Sequence, residues 1–319
     1  MTVVIVVSWF LFSACLGLVQ PAGQEGVVSV MFHPAPVRAL MVSIVLAFAA
    51  AGFGIVMDKR HYREFALAAI GAGLTAWAMK TGLVDELLLK HGVASERGGM
   101  FYRLILDVLI WFGIGAAGYG GAVGLARITG WVSPTVKLDP SGPTPGGQGA
   151  HPVGLDQAAQ QKPEPSPSIS TRCLAVGFVF LMALILLKFL AQSSPASSIE
   201  SESIRATRGP QMGQSVFAVF MAFFLSVWAV RHFFTVPVWV LLAGPPTVAV
   251  AGYLPAAQFI PPESLLEQSR LFVSPSMIFA HILPIQFVAI GSLAVMGGYG
   301  SARQVGAEDH PDKTGKDAA

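Results

Sequence analysis

Long runs of apolar residues, separated by short polar connections, constrain this chain more than any other feature of its sequence. A helix needs about 20 mostly apolar residues to cross the hydrocarbon core of a bilayer. Eight segments approach this requirement, and they cover residues 3–19, 39–57, 65–84, 104–125, 173–191, 216–230, 236–254 and 277–298. The third is the weakest, because it is rich in alanine and glycine and contains Lys80. The pattern predicts an all-α integral membrane protein with about eight transmembrane helices.

The composition agrees with a membrane environment and argues against several other classes of protein. Only 12% of the residues are charged, which is about half the share in a soluble domain. The net charge is +2 and the basic residues do not form one patch, so we expect no binding to nucleic acid. Cys15 and Cys173 are far apart and predict neither a disulfide nor a metal site. The expected surroundings are therefore a lipid bilayer, without a cofactor or a metal.

Two polar regions divide the chain. Residues 131–171 are dominated by Pro, Gly, Ser and Gln, a composition that cannot bury enough apolar surface to fold. They predict a disordered cytoplasmic linker between a first four-helix unit, residues 1–130, and a second four-helix unit, residues 172–303. The polar residues 304–319 predict a disordered cytoplasmic tail.

The two units share markers that indicate an internal duplication. An Arg-His pair stands at positions 60–61 and again at 231–232, a shift of 171 residues. A Gly-Tyr-Gly sequence stands at 118–120 and again at 298–300, a shift of 180 residues. The shift grows along the chain, as small insertions would cause. Because four helices return the chain to its starting side of the membrane, the duplication predicts two parallel repeats.

The Gly-Tyr-Gly ending also suggests close packing of helices. Small residues allow helix backbones to approach each other in lipid. The sequence therefore predicts helix contacts at Gly120, at Gly124 four residues later, and at Gly298 in the second copy. Gly-Tyr-Gly also ends the potassium-channel filter. The residues before it are Ala116-Ala117 and Met296-Gly297 rather than Thr-Val, which argues against a filter.

Basic residues in short connections predict the orientation of the chain. They concentrate between the second and third segments and after the fourth, sixth and eighth, at Lys59, Arg60, Arg63, Arg127, Arg231 and Arg303. By the positive-inside rule, both termini are expected in the cytoplasm and the protein in the inner, cytoplasmic membrane. The first segment has a second interpretation as a cleaved signal peptide. No Lys or Arg precedes its apolar run, which favours a retained helix.

Ionisable residues inside apolar segments are the candidate site residues. Asp107 lies about one turn into the fourth segment, His281 about one turn into the eighth, and Lys188 near the end of the fifth. One interpretation places them at the membrane interface, where Lys188 extends to the headgroups and Asp107 pairs with Arg103 one turn away. The other places Asp107 and His281 in a polar cavity between the two units, where they bind a cation or carry a proton.

The seventh segment contains Gly244-Pro245-Pro246, which predicts a kinked or broken helix. Broken helices in transporters expose backbone groups to substrate, although a structural kink is the plainer interpretation. The sequence contains no phosphate-binding loop, HExxH or CxxC motif, and we predict no catalytic residues and no enzyme activity. The leading hypothesis is a transporter or permease-like protein for a small solute or ion. The alternative is a non-catalytic scaffold or assembly subunit that binds other membrane proteins.

Overall fold

The computed structural model describes residues 1–20, 27–59, 61–91, 93–131, 168–191, 211–259 and 279–308. Regular structure in these residues is helical, and they contain no strand. In chain order the helices are α1 (Thr2–Val19), α2 (Pro36–Met57), α3 (Tyr62–Ala78), α4 (Asp85–Lys90), α5 (Ala94–Ile128), α6 (Ile169–Leu190), α7 (Met212–Phe233), α8 (Val238–Leu241), α9 (Gly244–Gln258) and α10 (Gly291–Glu308). A π-helical turn, Gln286–Ile290, directly precedes α10. The prediction of an all-α chain is confirmed.

Six helical stretches of the described residues are long and apolar enough to cross a membrane. They are α1, α2, α5, α6, α7 and the stretch formed by α8 and α9. The other two predicted segments form α3, which has 17 residues, and the π-helical turn with α10, whose second half is polar. A multi-pass membrane protein is thus supported, whereas eight spans are not confirmed.

The helix α3 lies at the centre of the bundle. Of its 17 residues, 12 are buried, and it packs against α1, α2, α5, α10 and the π-helical turn. Alanine and glycine make this possible, because small side chains let neighbouring backbones approach closely. At Gly73, an added Cβ would lie 2.5 Å from the ring of Phe12. The composition that weakens the third segment as a lipid-facing span therefore suits it to the core.

Aromatic residues join α1 and α5 to this central helix. The indole Nε1 of Trp77 donates to the carbonyl of Phe12 at 2.5 Å, and the two rings are 4.8 Å apart. The other side of Trp77 meets the ring of Trp111 edge-on at 6.3 Å. All three side chains are fully buried. The contacts of Phe12 thus attach α1 to the central helix α3.

The two Gly-Tyr-Gly sequences place their first glycines at helix contacts. A Cβ on Gly118 would lie 2.6 Å from the Cβ of Ala47 on α2, and a Cβ on Gly298 would collide with the carbonyl oxygen of Phe224 on α7. Gly120 and Gly124 differ from the expectation, since a Cβ on either would meet nothing within 4 Å. With 3.6 residues per turn, a residue two positions after Gly118 lies on nearly the opposite face of α5.

The predicted irregularity of the seventh segment lies between α8 and α9. Helix α8 ends at Leu241 and α9 begins at Gly244, so Pro245 and Pro246 occupy the first turn of α9. Proline fits there because the first N–H groups of a helix have no intrahelical acceptor. The prolines therefore begin a helix rather than bend one. Beside them Gly244 contacts α6, where an added Cβ would lie 2.9 Å from Val179.

The predicted linker and tail fall mostly outside the described residues. Within the linker, residues 132–167 are not described, and α6 begins at Ile169 after the N-cap residue Ser168, whose hydroxyl accepts from the N–H of Thr171. The helix α10 continues to Glu308, so residues 304–308 of the predicted tail are helical. The rest of the tail, residues 309–319, lies outside the described residues.

The contrasting surroundings of two neighbouring glycines give a direct test of the packing. We expect Gly118→Leu to lower the melting temperature, because overpacking a close helix contact costs about 1–3 kcal/mol. For Gly120→Leu in the isolated chain we expect no change, since its surroundings are open. Thermal unfolding of the detergent-purified variants measures both. Equal losses for the two substitutions would contradict the described contact between α2 and α5.

Candidate functional site

Asp107 is a fully buried carboxylate on α5. Its Oδ1 atom accepts hydrogen bonds from the backbone N–H groups of Val30, at 3.0 Å, and of Met31, at 3.1 Å. Its Oδ2 atom accepts from Nε1 of Trp111, one turn later on α5, at 3.1 Å. A buried carboxylate is tolerable only when its oxygens are hydrogen-bonded. All of these donors belong to the chain itself.

These bonds hold the connection between α1 and α2 against α5. Residues Val27, Val28, Ser29 and Val30 are buried although they form no regular secondary structure. Backbone N–H groups in such a segment need an acceptor from elsewhere in the fold. The carboxylate of Asp107 supplies one. The position of Asp107 therefore determines where this connection lies.

The two basic candidate site residues, Arg103 and Lys188, are both exposed. Arg103 is exposed, and its guanidinium lies over the ring of Phe32 at 5.9 Å from the centroid. Among the described residues no ion pair joins Arg103 to Asp107. Lys188 on α6 and Lys80 after α3 are also exposed, as side chains that extend to a membrane interface would be.

His281 pairs with Asp85, a residue that the sequence did not single out. The Nδ1 atom of the imidazole is 2.5 Å from Oδ1 of Asp85, and the histidine is only 4% exposed. The carbonyl of His281 also accepts from the N–H of Val84 at 3.1 Å. The segment before α10 is thereby attached to the start of α4.

Gln286 adds a second attachment between the same regions. Its side chain is fully buried in the π-helical turn. Its Nε2 atom donates to the carbonyls of Ala78 and Gly82, each at 3.4 Å, and its Oε1 atom accepts from the N–H of Leu283 at 3.0 Å. A single amide therefore pairs with carbonyls at and just after the end of α3 and with an N–H three residues before the π-helical turn.

Tyr253 of α9 lies between α5 and the segment that contains His281. Its ring is 6.3 Å from that of Phe101 on α5, and its hydroxyl donates to the carbonyl of Ile282, next to His281. Asp107 and His281 have different direct partners, and neither hydrogen-bonds to the other in the described structure. Within the described residues no group of three or more His, Cys, Asp or Glu is placed to hold a metal ion.

The sequence allows one contact of this site to be predicted, but not the others. Trp111 stands four residues after Asp107, a spacing that places two side chains on one helix face. Asp85 opens the polar sequence DELLLK directly after an apolar segment, but nothing local indicates its pairing with His281. The backbone donors of Val30 and Met31 have no sequence signal at all.

Comparison with known proteins assigns no family: no family model, no curated protein and no solved structure matches this chain. The function is therefore inferred from the geometry of the described residues.

The carboxylate of Asp107 should matter for stability through its acceptor oxygens. We expect Asp107→Leu to lower the melting temperature strongly, because each buried donor left unpaired costs about 1–3 kcal/mol. The melting temperature of Asp107→Asn should lie between those of wild type and Asp107→Leu. Its carbonyl oxygen can still accept from Val30 and Met31, but its amide NH₂ group then faces the indole N–H of Trp111, which is also a donor. Arg103→Ala is the control and should resemble wild type.

Limited proteolysis of the same variants locates the effect. Cleavage within residues 27–35 should increase for Asp107→Leu more than for Asp107→Asn. Wild-type stability and wild-type cleavage for Asp107→Leu would show that the carboxylate does not hold this connection.

Proposed function

We propose that this chain is a non-catalytic assembly subunit of a membrane protein complex, and that α5 binds a transmembrane helix of a partner. The observation that carries the proposal is an unoccupied face of small residues. This small-residue face consists of Gly113, Ala117, Gly120 and Gly124. An added Cβ on any of the three glycines would meet nothing within 4 Å. Ala117 is also exposed.

The spacing of these residues suits contact with another helix. Intervals of four, three and four residues keep them on one face of α5. In lipid, helices associate through close van der Waals packing, and small residues permit the closest approach. Gly118 is used for packing against α2 within the chain, so α5 has one small-residue contact inside the bundle and a second face free of contact with described residues.

The buried polar groups support an assembly role over transport. Asp107, Gln286 and His281 have partners within the chain, and these partners connect one helical segment to another. A transport path needs polar groups that a solute can reach. The role of Asp107 and His281 is therefore proposed to be structural.

For the architecture we propose eight membrane helices in two parallel repeats, with both termini in the cytoplasm. The pairing of helices supports the repeat, because α2 packs along α5 as α7 packs along α10. The contacts between units are also reciprocal: α3 meets α10 and the π-helical turn, while α9 meets α5. The register of these helix contacts differs between the two units. Gly118 contacts Ala47, whereas Gly298 contacts Phe224, whose counterpart in the repeat alignment is residue 53 rather than Ala47.

Transport of a small solute or ion is the second candidate function. Two irregular helices favour it: the π-helical turn, which packs against α3 of the first unit, and the break between α8 and α9. Interrupted helices in transporters supply backbone groups to substrate. A polar path that opens between α9 and the π-helical turn would distinguish this function from assembly.

The small-residue face can be tested by filling it. We expect Gly120→Ile to fold like wild type but to lose its partner, because a branched side chain prevents close approach of a second helix. The complex is extracted from native membranes in a mild detergent, and its mass is measured. Gly177→Ile on α6 is the matched control, since that glycine also has open surroundings but Cys173 and Leu181, not small glycines, stand four residues away.

The expected result is a smaller mass for Gly120→Ile and an unchanged mass for Gly177→Ile. A wild-type chain that is monomeric in native membranes, or a complex that survives Gly120→Ile intact, would overturn the assembly proposal. In that case uptake measured in sealed vesicles, with Asp107→Asn as the comparison, becomes the test of transport.

A further inference from the structure

An apolar groove separates the two units on one side of the bundle. It has a volume of about 500 Å³, and its walls come from α1, α3, α7 and α10 together with the π-helical turn. Residues from each wall are Trp9, Thr75, Gly213, Val216, Ile290 and Leu293. The first unit therefore supplies one wall and the second unit supplies the other.

The lining offers almost nothing to a polar ligand. Thr75 is a hydroxyl residue of the wall, and its Oγ1 atom already donates to the carbonyl of Gly71 at 2.7 Å. Most of the other lining side chains are aliphatic or aromatic. Two of the walls, α1 and α7, are candidate membrane spans. An occupant must be apolar along its whole length in the groove.

An exposed lysine directly follows one of the groove residues. Met79 and Met212 line the groove where α3 finishes and α7 begins. The next residue after Met79 is Lys80, which is exposed. A lysine at the boundary between lipid tails and headgroups attracts the phosphate of a lipid. An apolar groove that ends beside a cation matches the two parts of a phospholipid.

We infer that this groove binds one acyl chain of a phospholipid, which lies between the two units with its phosphate beside Lys80. The small residue Gly213 makes room for it, since an added Cβ at this position would meet nothing within 4 Å. The bound chain replaces the side-chain contacts that the units lack along this side. This site is independent of the small-residue face on α5.

Filling the groove tests the inference. Gly213→Phe places a ring in the groove without a clash with the backbone, and Val216→Trp is a second variant with the same purpose. Gly177→Phe on α6, where the surroundings are equally open, is the matched control. The full chain is reconstituted in phosphatidylcholine vesicles, extracted in mild detergent, and examined by native mass spectrometry.

The expected result is one phospholipid retained on wild type and on Gly177→Phe, and its loss from Gly213→Phe and Val216→Trp. Lys80→Ala should reduce the retained fraction several-fold, whereas Lys80→Arg should preserve it. All variants should melt as wild type does when lipid is present, which separates loss of the lipid from misfolding. No retained phospholipid on wild type would overturn the inference, and so would equal retention by the groove-filling variants.

The occupant must also be distinguished from another part of this chain. In a background without Cys15 and Cys173, Gly213→Cys is combined with Leu266→Cys, a position between α9 and the π-helical turn that lies outside the described residues, and the variant is oxidised in vesicles. The inference expects no disulfide between the two positions and expects Gly213→Cys to react with a maleimide carried on an acyl chain. A disulfide in high yield would overturn it, because the chain itself would then cover the groove.

Discussion

The absence of water in a bilayer is the constraint on which the rest of this structure depends. Every backbone polar group at hydrocarbon depth must find its hydrogen bond inside the protein. Several buried hydroxyls donate to a carbonyl one turn earlier: Ser43 to Ala39, Thr75 to Gly71, and Ser226 to Ala222. Where the backbone is not helical, longer side chains supply the hydrogen bonds that the backbone groups need. Asp107 pairs the N–H groups of the connection after α1, and Gln286 pairs the carbonyls after α3.

These polar contacts concentrate where the two units meet and where helices end. His281 with Asp85, and Gln286 with the end of α3, connect the segment before α10 to the first unit. Hydrogen bonds have a fixed geometry, so they determine the relative position of the units. Among the described residues no hydrogen bond crosses the apolar groove beside α7, and there the units are separated rather than joined.

Glycine serves two purposes on one helix. Gly118 removes a side chain so that α2 can approach α5, while Gly120 and Gly124 leave an open surface on the other side. In water, an exposed face of this kind would carry charged residues. In lipid it can remain small and apolar, and it is therefore available for a partner helix.

The sequence by itself determined the helical class and six apolar stretches able to span a membrane, because length and hydropathy are local properties. It also located the break before α9, since proline acts on its own helix turn. Only the tertiary structure decided which helix faces are buried, because in lipid both faces of a helix are apolar and no amphipathic pattern separates them. Gly118 was therefore missed and Gly120 expected in its place. The partner of Asp107 was equally hidden, because the backbone N–H groups of Val30 and Met31 are present in every sequence and are brought near α5 only by the fold.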